Sequence, residues 1–467
     1  MASSCIKLFG KIPPDLRGTY YRVGPGNFKI GNHRYKHPFD GDGKIDKICI
    51  SPETGVTVES KFVRTAEFEE EEASARVLYR GTFGTKPLVW NPFDRRIKNA
   101  SNTALVYHAG TLLSMWEAGL PHEIDAETLR TKGLFDMCGV VPRVGFAFSS
   151  GYACIDDALG LGGVGVSAHA KTDPVTGQQV VFTAQAAPRH VNIRVLAFPS
   201  GSFSEPEARA FDIAGFTHCH DFALTPNYYI FFASAFRMDY VSFARGLGPA
   251  ECVTHIEGDT MVYLVPRDAS KHVRTTTIAK CFVTHFINAF EAAGDDCLVV
   301  DAMCSEHISL TSVPLIKPVR YVFSLHHDRF ELGAFVEHSC CLNEFPAINP
   351  RFEGQPYRYF YSASSTGTSK LMDSWACHDT WTGRVTRTQP LCKTGLAEHA
   401  VAFFLEPTFV PRSVQAVERC GYLVGVLITD DGNALLIVDA ATMEMVCAYD
   451  ISSANVIGLH GLFIPTC

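Results

Sequence analysis

The chain has 467 residues, a formal net charge of −8 and a pI near 6.1. Phosphate binding needs a concentrated basic face, so nucleic acid is excluded as an expected partner. Sixteen cysteines are scattered without a CxxC pair; a chain this large needs no covalent staples, so they are expected as reduced thiols, the neighbours Cys340 and Cys341 included.

No apolar run is long enough to span a bilayer, and the opening MASSCIKLFGKIPPDLRG lacks the apolar core of a secretory signal. The length exceeds that at which one compact core stops growing, leaving two domains or one large repetitive β architecture. Glycine and proline are spread along the chain, and no linker, charge block or low-complexity stretch divides it. A single unit over 1–467 is therefore expected.

Taken in order, the chain first shows two glycine-rich segments, Asp15 to Asn27 and Phe39 to Gly43. Neither precedes a helix as a phosphate loop must, so their glycines are read as serving tight turns and close strand approach. The acidic run Glu67, Glu69, Glu70, Glu71, Glu72 is read as a solvated loop or strand edge. Helical periodicity is scarce, whereas short β-rich runs ended by Gly, Pro, Asn or Asp recur. A turn signature repeats at Ser51–Gly55, Asp125–Leu129, Asp173–Gly177, Asp379–Gly383 and Asp439–Met443, each between strand-like segments. In it Asp or Ser and Thr can bond the turn backbone, as a hairpin requires. Irregularly repeated hairpins over several hundred residues fit an all-β propeller, with a pair of long β-sandwiches as the alternative.

The stretch from Leu134 to Val166 is rich in Gly, Val and Phe with few charges. It reads either as a membrane-dipping patch or tunnel mouth, or as ordinary buried strands joined by glycine turns. Farther on, FTHCHDFALTPNYYIFF (216 to 232) sets a metal-competent dipeptide, His220-Asp221, before a Pro226-Asn227 turn and a buried strand from Tyr228 to Phe232. His220 has company in His169, His285 and His460. The first three are 220 − 169 = 51 and 285 − 220 = 65 residues apart, about one blade each for a propeller of this size. The fourth lies where the last blade would close on the first. Four imidazoles converging on the axis make a nitrogen-only site suited to Fe, Zn, Cu or Ni.

The blocks RGTYYRVGPGNF, FDGDGK, KNASNTALV, LLSMWEAGLPHEID, SAHAKTDPVTG, HDFALTPNYYIFF, HFINAFE, NEFPAINPRF, EPTFVPR and GLHGLF resemble, in order and along essentially the whole chain, those of the carotenoid cleavage oxygenase family. The resemblance implies a seven-bladed β-propeller with a cap of loops and helices over an axial Fe(II) held by His169, His220, His285 and His460. It also implies that Glu117, Glu344 and Glu406 accept hydrogen bonds from His220, His285 and His460 respectively, leaving His169 without a carboxylate. Such a carboxylate fixes an imidazole's tautomer and makes it a better donor to a metal. All three glutamates sit in apolar or Pro-rich stretches where an unpaired carboxylate is costly. His218 lies two residues before His220 and, if extended, faces the same way; His122, His190, His399 and the other histidines match no family block, and these are read as structural.

The implied reaction is oxidative cleavage of a conjugated carbon–carbon double bond of a carotenoid or apocarotenoid by O2, giving two carbonyl products. Thr103 matches a family position near the iron, where its methyl group narrows a coordination site. Stilbene-cleaving relatives typically place a lysine before the first of the glutamates, whereas Trp116 stands there and suits the aromatic wall of a polyene tunnel. A stilbene cleaver, an isomerase and a non-catalytic carotenoid-binding scaffold are the alternatives. The chain begins almost at the first family block, without room for a transit peptide, so cytoplasmic residence with reversible membrane association through 134–166 is expected.

Overall fold

A computed structural model describes residues 3–88, 96–142, 163–187, 189–292, 296–308, 314–325, 331–337, 339, 341–366, 371–388, 402–412, 417–430, 432–454 and 457–466. Seven antiparallel sheets of four to six strands follow one another around a ring and form a seven-bladed β-propeller. Each blade presents one end strand toward its neighbours' end strands: His460–Pro465, Ala104–His108, Gly165–Val166, Ala223–Leu224, Phe282–Ala292, Asn343–Ala347 and Ala402–Phe404 for blades one to seven.

All five turn motifs link adjacent antiparallel strands, as their composition predicts. Asp439 shows why the pattern recurs: its Oδ1 accepts from the backbone N–H groups of Ala441 and Thr442, both at 2.9 Å, leaving the flanking strands to pair. Alternation within strands then buries one set of side chains between each pair of blades. Ile193, Phe211 and Phe231, for instance, belong to a cluster shared by blades three and four, and similar clusters lie between the other neighbours.

The ring closes twice. The C-terminal strand His460–Pro465 pairs with Gly18–Pro25 inside blade one, while the N-terminal strand Lys7–Gly10 pairs with Met445–Asp450 in blade seven. Gly24 and Gly43 show the close approach read from the glycine-rich segments. A Cβ on Gly24 would lie 2.1 Å from the Ile457 carbonyl oxygen, and one on Gly43 would lie 2.0 Å from that of Ser101.

Segments outside the blades gather into a cap. Arg80 donates to the Phe243 carbonyl at 2.8 Å and Ala250 N–H to the Thr82 carbonyl at 3.0 Å, joining the connection between blades one and two to an insertion in blade four. The acidic run belongs here, and it departs from the reading as a solvated loop or strand edge. It forms a helix, Ala66–Ser74, capped by the Thr65 hydroxyl accepting from Phe68 N–H at 3.0 Å. Glu71 is fully buried, with Oε1 accepting from Leu78 and Tyr79 N–H and Oε2 paired to Lys98 Nζ at 2.6 Å. Lys98 also pairs with buried Asp42 at 2.6 Å and donates to the Tyr35 hydroxyl at 2.8 Å. Local acidity could not reveal this, because the lysine that offsets Glu71 lies 27 residues away.

Among the described residues no helix is long and apolar enough to cross a membrane. Of the apolar stretch from 134 to 166, residues 143–162 lie outside the described residues; Met137, Val141 and Val166 are buried and Leu134 is exposed.

Replacing Lys98 with Met leaves two carboxylates buried without their cation. The expected cost is about 3–5 kcal/mol, read as a lower urea unfolding midpoint. An unchanged midpoint would show that Asp42 and Glu71 are not held by this ion pair.

Candidate metal centre

His169, His220, His285 and His460 come from four different blades and meet at the ring's centre. His169 follows the end strand of blade three, His220 precedes that of blade four, His285 lies within that of blade five and His460 opens that of blade one. Ring centroids are 4.5 Å apart for His169 and His220, 4.9 Å for His169 and His285, and 4.7 Å for His169 and His460. The Nε2 atoms of His169 and His220 approach to 2.9 Å. Candidate ligand atoms of His169, His285 and His460 lie within 4.8 Å of one another.

Three of these rings are held from behind. His220 Nδ1 is 2.6 Å from Glu117 Oε1, His285 Nδ1 is 2.6 Å from Glu344 Oε2, and His460 Nδ1 is 2.8 Å from Glu406 Oε1. A carboxylate only accepts, so each Nδ1 carries the proton and donates it. His169 has no carboxylate among the described contacts; its partner is His220.

Local chain geometry delivers each glutamate. Glu117 lies in the turn after strand Thr111–Met115, where Gly119 N–H bonds the Trp116 carbonyl at 3.3 Å. Blade three runs hard against this turn: a Cβ on Gly165 would lie 2.5 Å from the Glu117 carbonyl oxygen. Glu344 sits at a register shift in its end strand, and Phe345 beside it takes a left-handed backbone, φ 56°, although it is bulky and precedes Pro346. Glu406 occupies the break between strands Ala402–Phe404 and Thr408–Pro411, both of which pair with Gly421–Thr429. Gly425 on that strand leaves room for the Glu406 carbonyl and the buried Trp375 ring, which a Cβ would meet at 2.5 and 2.6 Å.

Asp221 departs from the metal-competent dipeptide read in the sequence. Its carboxylate turns away from the imidazoles, accepting from Phe222 N–H and Phe286 N–H, both at 2.8 Å, and from Lys171 Nζ at 3.2 Å. Sequence reading also missed Lys171 and Phe345, although both stand inside the quoted blocks. The Phe345 ring lies 5.9 Å from that of His285 and 5.6 Å from that of His460. His218, read as structural, has its Nε2 2.8 Å from Glu117 Oε2. Its place two residues before His220 was the only signal. His122 is buried within a strand of blade two and burial alone lowers its pKa to about 4; His190 lies at the surface, and His399 is outside the described residues. Thr103, partly buried, precedes the end strand Ala104–His108, with its N–H bonded to the Met115 carbonyl at 3.1 Å. Trp116, also partly buried, adjoins Glu117 and packs over Gly119, where a Cβ would lie 3.0 Å from its ring.

The electrostatics favour a cation. Burial pulls the His220 pKa down, but Glu117 more than offsets this and the net shift is upward. Burial, then the neighbouring imidazoles, hold His169 well below 6.5. Burial raises Glu117, yet His220 and His218 bring it below the ordinary carboxylate range, and His285 does the same for buried Glu344. The close approach of His220 Nε2 and His169 Nε2 brings two ring nitrogens to one point. Among the described residues the buried Nε2 of His285 has no hydrogen-bond partner. Four imidazoles facing one point, three of them fixed by a carboxylate on the far nitrogen, fit a bound metal ion. A cavity of about 560 Å3 whose lining includes Asp173, Leu224, Arg267 and Glu353 includes none of the four histidines.

Known proteins match this chain along almost its whole length. The chain is 32% identical to the apocarotenoid-15,15'-oxygenase of Synechocystis sp. over 98% of its own length and 92% of the relative's. It is 25% identical to the β,β-carotene 15,15'-dioxygenase of Rattus norvegicus, covering 98% and 88%. The structure of cobalt-substituted Synechocystis ACO superposes with a TM-score of 0.87 at 27% identity, covering 100% of this chain and 96% of that one. That structure carries its metal as cobalt, and the family is metal-dependent. Residues 2–465 match the model of the family described as RPE65, retinal pigment epithelial membrane protein. The chain thus belongs to the RPE65 and carotenoid cleavage oxygenase family.

Proposed function

We infer that this protein is a dioxygenase that cleaves a conjugated carbon–carbon double bond of a carotenoid or apocarotenoid with O2, using Fe(II) held by His169, His220, His285 and His460. The observation that carries the reading is the cluster of four imidazoles, three backed by carboxylates, at the centre of a fold shared with apocarotenoid and carotenoid oxygenases. Four neutral nitrogen ligands suit iron, and a ferrous ion bound there supplies the redox chemistry between O2 and the polyene, whose cleaved bond yields two carbonyl groups.

The chain's own residues bind and orient. Glu117, Glu344 and Glu406 keep Nδ1 of their partners protonated, so each Nε2 offers its lone pair inward. No protein acid or base is required. Trp116 and Phe345 supply aromatic surface beside the centre for a polyene, and Thr103 is assigned to limiting space next to the metal. Trp116, in place of a lysine, disfavours a phenolic stilbene substrate. The exposed Leu134 and the apolar composition of 134–166 support reversible contact with a membrane surface, from which such a substrate would be drawn.

Anaerobic loading with Fe(II), then O2 and an apocarotenal, should give two aldehydes by mass spectrometry, their masses locating the cleaved bond. His285→Ala should lose both stoichiometric iron and turnover. One iron per chain without cleavage would overturn the substrate class, and no stoichiometric metal would overturn the four-histidine site.

Glu344→Gln should weaken metal affinity or turnover by about 10- to 100-fold, measured by chelator competition and initial rates. Parity with wild type would remove Glu344 from any supporting role.

Metal uptake should also release protons. Against the effect of burial, Glu117 and the neighbouring carboxylates shift the His220 pKa upward, so an ion that takes the His220 lone pair displaces protons from it. Release should grow as pH falls, and Glu117→Gln, which lowers the His220 pKa, should reduce it. Weakly buffered titration with Co(II) measures this; no proton release at pH 6.5 would contradict the upward shift of His220.

A further inference from the structure

We infer that His218 is a positioning residue that fixes the Glu117 carboxylate, and through it His220, from the solvent side. This rests on the metal reading above. A carboxylate bonded through one oxygen can still swing about its last side-chain bond, a torsion with a broad minimum. A second contact is what locks its plane.

Glu406 and Glu344 obtain that contact from their own surroundings in the sheet. Glu406 Oε2 accepts from Gly461 N–H at 2.7 Å while Oε1 takes His460, and Glu344 Oε2 takes both His285 and the adjacent Phe345 N–H. Both donors are backbone groups next to a site residue.

Glu117 differs. It lies in a turn outside the strand, and the Gly119 N–H of that turn is already bonded to the Trp116 carbonyl. Among the described residues its carboxylate has two partners, both imidazoles: His220 Nδ1 on Oε1 at 2.6 Å and His218 Nε2 on Oε2 at 2.8 Å. His218 therefore does for Glu117 what a backbone amide does for the other two glutamates. It can reach because it lies two residues before His220, ahead of the end strand of blade four, and both rings meet the same carboxylate. With His218 donating through Nε2–H, its side chain, 48% exposed, can keep Nδ1 in water. The contact is thus made without burying another charge.

The test compares His218→Ala, which removes the donor, with His218→Gln, whose amide nitrogen occupies nearly the position of Nε2. Each full-length protein is loaded with Co(II), and release to excess EDTA is followed by the cobalt absorption. Iron-loaded samples are assayed in parallel with an apocarotenal. The expected result is release about tenfold faster and kcat about tenfold lower in His218→Ala at unchanged KM, with His218→Gln restoring both to within about threefold. Melting temperatures near wild type, as expected for a half-exposed side chain, separate this from a folding defect. Unchanged release in His218→Ala, or a glutamine variant no better than alanine, overturns the inference. A wild type that binds no stoichiometric cobalt overturns the metal reading and this inference with it, and is recognised by the absent cobalt spectrum before any variant is compared.

Discussion

Asp221 carries a negative charge where three blades meet, and the imidazole cluster stands on what that carboxylate binds. It accepts from Phe222 in blade four, from Phe286 in blade five and from Lys171 in blade three. Those partners lie within two residues of His220, His285 and His169 in turn. One buried carboxylate thereby sets the spacing of three of the four rings, although it faces away from all of them. Removing one partner of such a buried, hydrogen-bonded charge network costs more than any single contact in it contributes, because the remaining charge stays desolvated.

The second constraint is charge. Glu117, Glu344 and Glu406 surround rings whose neutral state carries no charge, so the centre is electron-rich without a cation. Imidazole N–H donors meet part of the desolvation cost. The proposed dication would complete the balance at the opposite edges of the same rings. Carboxylate, imidazole and metal then form one electrostatic unit in which every group's preferred state depends on its neighbours.

Closure of the ring is what makes such a unit possible. His460 reaches the centre because the last strand pairs inside the first blade, and Glu406 in blade seven meets it because the N-terminal strand completes that blade. Phe345 holds an unfavourable backbone conformation at the register shift beside Glu344, whose carboxylate meets His285.

By itself the sequence determined the class of fold and the residue types of the centre. Hairpin motifs such as Asp439–Met443, strands such as Tyr228–Ala233 and the blade-length spacing of histidines are local or periodic signals, and ten ordered blocks named the family. Only the tertiary structure decided that Glu71 is buried on Lys98, that Asp221 turns from the imidazoles to Lys171, that His218 shares Glu117 with His220, and that Phe345 adopts φ 56°. Each of these depends on which blades adjoin and on the register between distant strands. A two-residue period tells which side of a strand a side chain leaves, but not what waits across the gap.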